Sequence, residues 1–148
     1  MKIALIILLV IVVLIALYFI STYNTLVSLR NKVKDQWSQI DVVLKNRNDL
    51  IPNIVETVKG YAKHEKDTLD AVIEARSKAV SATTKDDEIK ASGEVTQALG
   101  RLFALAESYP ELKANTNFLD LQNKLNEIEE KIRYARQFYN DSVLTYKN

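Results

Sequence analysis

His64 beside Glu65 is the nearest thing in this sequence to an acid–base or metal-binding pair. A metal centre needs several ligands converging on one point, and a nucleophile needs a base within reach. With one histidine and no cysteine in the chain, His64 reads as a polar residue on a helix face. Asp86, Asp87 and Glu88 are adjacent carboxylates without the spacing of a calcium loop. They suit the N-terminus of a helix, whose dipole favours negative charge. No set of nucleophile, base and oxyanion donors is recognisable, so the residues predict neither an enzyme nor a cofactor or metal site.

Two other groups have the chemistry for recognition. Arg30, Glu65, Arg76 and Ser142 fall on stripes that are otherwise apolar. Either each lies at a helix end or snorkels outward on its aliphatic stem, or the group specifies helix register or an oligomer interface. The run Arg136, Gln137, Phe138, Tyr139, Asn140, Asp141 sets two aromatics among amide and charged groups. Tyr139, flanked by Phe138, fills a bundle core in one reading; in the other the two form a contact patch for a neighbouring subunit.

The elements that must position these residues are helical. Of 148 residues only 3 are glycine and 2 are proline, while Leu, Ala, Lys and Glu abound. The 20 basic and 19 acidic residues nearly cancel, which excludes the electrostatic footprint of a nucleic-acid binder. From Ile3 to Ile20 every residue is apolar or aromatic, about the minimum length that crosses a hydrocarbon core as a helix. A cleaved signal peptide would have a shorter apolar region ending in small residues, whereas this one ends Tyr18, Phe19, Ile20. The expectation is an uncleaved anchor over residues 1–22 that contacts the bilayer through residues 3–20, in the cell membrane. Arg30, Lys32 and Lys34 against Lys2 favour the cytoplasmic side for the domain of residues 23–148.

Beyond the membrane, Leu26, Arg30, Val33, Trp37, Ile40 and Leu44 step by four and three along one helical stripe. No glycine or proline separates this stripe from Ile20, so the anchor runs into the first bundle helix. Asn46, Arg47, Asn48 and Asp49 form a polar break that predicts a chain reversal, with Asp49 capping a second helix whose first turn tolerates Pro52. That helix is expected from about Leu50 to Val80, because its seam keeps phase through Gly60. A turn over Ser81–Asp87 leads to a third helix ending near Tyr109, where Pro110 disfavours helical geometry in its predecessor. Asn115 or Thr116 caps a last helix from Phe118 almost to Asn148. The predicted fold is all-α, an N-terminal transmembrane helix continuing into an antiparallel bundle of about four long helices. In that frame the Asp49–Pro52 and Tyr109–Pro110 turns point away from the bilayer.

At Arg47, Asp49, Leu50, Ile51, Pro52 and Asn53 the sequence resembles the signature of the LemA family. GRLFALAESYPELKAN from Gly100, ARQFYNDSV from Ala135, WSQID from Trp37 and VKGYAKHE from Val58 extend the resemblance over nearly all of the region beyond the anchor. It implies an N-terminal anchor and a helical domain, and it transfers no catalytic residues. Family members usually continue past the last helix with a tail that often contains a Phe-Pro pair, whereas this sequence stops at Tyr146, Lys147, Asn148.

Two function classes follow. One is a membrane-bound scaffold acting through helix-mediated association, self-assembling into a homo-oligomer with coiled-coil-like seams. The other is an adaptor that holds another envelope protein, such as a membrane protease or transporter. The residues expected to touch partners are Asp49, Pro52, Tyr109, Pro110, Phe138 and Tyr139.

Overall fold

The computed structural model describes residues 1–147, and over them the chain is helical without strands. Five helices run in order: α1 (Lys2–Lys59), α2 (Lys66–Ser81), α3 (Lys85–Ala106), α4 (Pro110–Lys113) and α5 (Thr116–Lys147). The chain divides into two compact units, one formed by Met1–Gln39 with the C-terminal segment from Arg136, the other by Ile40–Ala135.

In the Ile40–Ala135 unit four helical stretches alternate in direction. Arg76 on α2 reaches back to Asn48 on α1 across the Gly60–Glu65 turn. Lys78 meets Glu94 close to the α2–α3 turn, while Ala71 and Arg101 share a groove farther along the same pair. Glu129 on α5 meets Arg47, and Asn115 at the start of α5 meets Tyr61. These pairings make each neighbour antiparallel, as short connections dictate. The core runs through every stretch: Ile51, Ile54, Val55 and Val58 from α1, Leu69 and Val72 from α2, Val95, Leu99 and Leu102 from α3, Leu112 from α4, and Phe118 and Leu125 from α5. The rings of Phe103 and Phe118 meet edge to face at 6.3 Å, the geometry that aromatic quadrupoles favour.

Two expected boundaries are corrected. The polar quartet from Asn46 to Asp49 does not reverse the chain, because α1 continues through it to Lys59. Asp49 therefore caps no helix, and Pro52 lies inside one. The reversal comes at Gly60–Glu65 instead, so the helix expected from Leu50 to Val80 is two helices. Gly60 keeps an ordinary backbone, without positive φ. Its low helix propensity makes this the cheapest place to stop. Tyr61 N–H and Ala62 N–H both donate to the Val58 carbonyl as the helix tightens and ends.

The later boundaries follow their local chemistry. Thr84 caps α3, its hydroxyl accepting from Asp87 N–H at 3.1 Å, and Asp86, Asp87 and Glu88 occupy the first turn. Asn115 Oδ1 accepts from Phe118 N–H at 3.0 Å and so caps α5. Between them Pro110 starts the short helix α4, where its missing N–H leaves no bond unmade.

The other unit contains the apolar run. Its side chains from Ile3 to Ile20 are exposed apart from their helical neighbours, and the helix is long and apolar enough to cross a membrane. Past the run, Trp37 packs against Tyr139 with ring centroids 5.3 Å apart, and Ser142 is buried.

Candidate functional site

Ile40, Leu44, Arg47, Ile51, Ile54 and Val58 step by four and three, so the apolar stripe of α1 carries one arginine inward. Arg47 is 1 % exposed. One of its terminal nitrogens, Nη1, donates to Glu129 Oε1 at 2.6 Å and to Thr96 Oγ1 at 2.9 Å. The other, Nη2, donates to the carbonyl and the hydroxyl of Ser92 at 3.1 and 3.0 Å. A buried guanidinium is tolerable only when paired and hydrogen-bonded, and this one ties α1 to α3 and α5. Burial pulls its pKa below the ordinary value, and the charge and hydrogen bond of Glu129 oppose that pull. The group stays cationic at physiological pH.

The next residue begins a second cross-tie. Pro52 has no N–H, so the Asn48 carbonyl one turn earlier lacks its helical donor. Arg76 Nε supplies one from α2 at 2.8 Å. A proline thus sits inside α1 because a side chain on the neighbouring helix repairs the bond that it removes.

Arg47, Asn48 and Arg76 also form the floor of a cleft of about 230 Å³ between α1, α2 and α3. Asp41, Lys45 and Asp49 line it from α1, Glu88 and Ser92 from α3. Three buried polar atoms on these walls have no hydrogen-bond partner among the described residues: Arg47 Nε, Asn48 Oδ1 and Glu88 Oε2. Burial raises the Glu88 pKa first, and the Asp41 charge raises it further; Lys45 acts the other way, and a hydrogen bond with Asp41 adds to the rise. Two carboxylates can share such a bond only when one carries a proton.

At the Gly60 turn the polar contacts are more exposed. Tyr109 O–H donates to Glu65 Oε1 at 3.0 Å, and Asn115 Nδ2 donates to Tyr61 Oη at 2.9 Å. The Tyr109 pKa is raised, chiefly by its hydrogen bond to Glu65, then by burial and the carboxylate charge.

The six residues expected to touch partners are spread apart. Tyr109 and Pro110 lie at the α3–α4 corner, facing the Gly60–Glu65 turn. Asp49 and Pro52 are exposed on the interior of α1. Asp49 is about 16 Å along the helix axis from Gly60, so the two pairs do not share one end of the bundle. Phe138 is exposed, and Tyr139 is half-buried against Trp37. Of the polar residues on inward stripes, Arg76, Glu65 and Ser142 are at least half-buried and Arg30 is exposed. His64 is exposed in the Gly60–Glu65 turn, and among the described residues no His, Cys, Asp or Glu cluster has the make-up of a metal site.

The sequence reading did not single out Asp41, Asn48, Glu88, Ser92, Thr96 or Glu129 as site residues, and it placed Arg47 in a turn. A signal for Arg47 was present, since it falls in phase between Leu44 and Ile51 on the buried stripe.

The sequence profile of the LemA family matches residues 36–148. The chain is 26 % identical to magnetosome protein MamQ 2 of Paramagnetospirillum magneticum, an alignment covering 94 % of this chain and 62 % of that protein. It is 25 % identical to protein LemA of Metamycoplasma hominis, covering 82 % of this chain and 56 % of that one. The MamQ of Magnetospirillum gryphiswaldense is 24 % identical over 84 % of this chain and 55 % of its own length. The chain thus spans a little over half the length of these relatives.

Proposed function

We propose that this chain, which belongs to the LemA family, is a membrane-anchored scaffold that works by association through its helices and not by chemistry in a pocket. One observation carries the reading. In the unit that contains the apolar run, large apolar side chains remain exposed past the end of that run at Ile20: Leu26 and Val27 on α1, and Phe138 and Leu144, both 60 % exposed, on α5. Exposed apolar surface of this kind on packed helices marks a face for another helix. The relatives are named for a cellular body or for the family rather than for a reaction, which supports the non-enzymatic side of the proposal.

In this reading residues 1–22 anchor the protein without cleavage, and residues 23–148 form the working domain on the cytoplasmic side, where Arg30, Lys32 and Lys34 favour it. Self-association through Phe138, Leu144 and their neighbours is the primary function. Light scattering on the purified full chain in detergent tests this. A scaffold forms a defined homo-oligomer that Phe138→Lys with Leu144→Lys dissociates while helicity is kept. A wild-type chain that stays monomeric at every concentration rejects self-assembly and favours the adaptor reading, in which another membrane protein covers the same face. A mature mass beginning near Ser21 rejects the anchor.

A further inference from the structure

The cleft between α1, α2 and α3 combines features that a structural cavity has no need for. Asn48 is only 8 % exposed, lines the cleft, and its Oδ1 has no donor. Glu88 Oε2, on the opposite helix, is buried and equally without a donor. Each such oxygen costs free energy unless something donates to it. The charges are also uneven. Arg47 is neutralised by Glu129 outside the cleft, which leaves Asp41, Asp49 and Glu88 facing Lys45 and Arg76. Lys45 is already held by Asp41 at 3.0 Å, and Arg76 Nε by the Asn48 carbonyl. The cleft therefore has two spare acceptors, one spare donor in Arg47 Nε and, once Glu88 is ionised, one carboxylate more than Lys45 and Arg76 balance.

We infer that this cleft binds a small organic ammonium ion, whose N–H groups donate to Asn48 Oδ1, Glu88 Oε2 and the Asp41 carboxylate. A volume of about 230 Å³ falls below the roughly 300 Å³ at which sites for drug-sized ligands begin, so the ligand is a compact amine of few heavy atoms. An ammonium ion supplies what a metal ion would not: directional donors matched to an amide oxygen and to carboxylates held by neighbouring side chains. It competes with the proton that Glu88 holds more readily than an ordinary carboxylate does. The groups around Glu88 are Asp41 and Lys45 from α1, Arg76 from α2 and Ser92 from α3. Binding and protonation compete there, and affinity falls as the pH drops through the raised Glu88 titration.

The test uses the full chain in phosphatidylcholine nanodiscs, whose quaternary headgroups carry no N–H. Ethanolammonium chloride is titrated while the Asn48 side-chain amide and the Glu88 carboxyl carbon are followed by NMR, with tetramethylammonium and sodium chloride as matched salts. Saturable shifts with ethanolammonium alone support the site, as does a weakening of about tenfold or more in Glu88→Gln. Glu88 is half-exposed, so that variant keeps the fold. Equal responses to all three salts mean ionic screening and overturn the inference, and so does unchanged affinity in Glu88→Gln. Shifts that appear only in discs containing phosphatidylethanolamine, with no effect of free ethanolammonium, overturn the diffusible ligand in favour of a lipid headgroup.

Discussion

The Ile40–Ala135 unit holds two polar clusters of different weight. Around Arg47, one guanidinium makes four hydrogen bonds to α3 and α5 while 1 % exposed. At the Gly60 turn, Tyr109 meets Glu65 and Asn115 meets Tyr61 with solvent close by. Both clusters join α1 or its exit to elements late in the chain. In the first, a lost partner strands a charge in the interior; in the second, water replaces it. Burial, more than the number of bonds, sets what each cluster contributes.

The contrast is strained hardest by Arg47→Ala, which leaves the Ser92 groups without this partner and the Glu129 carboxylate with Thr96 alone, and is expected to cost about 3 kcal/mol, the low end for breaking a buried pair. Denaturant unfolding of the detergent-solubilised chain, followed by circular dichroism, measures it. A cost no greater than that of a change at the Gly60 turn would erase the distinction. Arg76→Ala comes next, at about 1–3 kcal/mol, because the Asn48 carbonyl is left without a donor. In the double variant with Pro52→Ala, the restored N–H at position 52 should recover part of that loss. Strictly additive effects would show that Arg76 does not act through the carbonyl.

A gentler change sharpens the picture at the cleft. The folded-state pKa of Glu88 is raised, so its contribution to stability is fully present below the unfolded value and is lost as pH rises through the folded one. Glu88→Gln should therefore be neutral or stabilising at pH 7 and flatten the stability profile across the range where Glu88 titrates. A clear loss of stability at pH 7 would contradict the raised Glu88 titration. The smallest effect is expected from Tyr109→Phe, a shift in Tm close to measurement error, since the Tyr109–Glu65 bond is water-accessible.

Much of the architecture was legible from local patterns. The heptad-like stripe of α5, the cap at Asn115, the acidic first turn of α3 and the stop before Pro110 each depend on residues within a turn or two of one another. The two misplaced boundaries share a cause. Asn46–Asp49 followed by Pro52 has the composition of a loop, and only the partners Glu129, Ser92 and Arg76 on other helices make it a helix interior. Gly60 was hidden because Val58, Ala62 and Leu69 are buried on either side of the turn and keep the seam in phase. The site was illegible for the same reason. Arg47 and Glu129 are 82 residues apart, and no spacing rule connects them.

The Pro52 gap also bears on the order in which the chain is made. Residues 2–59 leave the ribosome before any of α2, so the longest helix is synthesised with a carbonyl at Asn48 that its own backbone cannot cap. Arg76, which completes it, emerges 28 residues after Asn48, and Glu129, which neutralises Arg47, later still. A chain that ends before Arg76 lacks both partners, and one that ends between Arg76 and Glu129 still carries an unneutralised Arg47 on the face of α1 that should be internal. The interior of the first helix is thus complete only in a product that extends to α5, which alone closes both gaps.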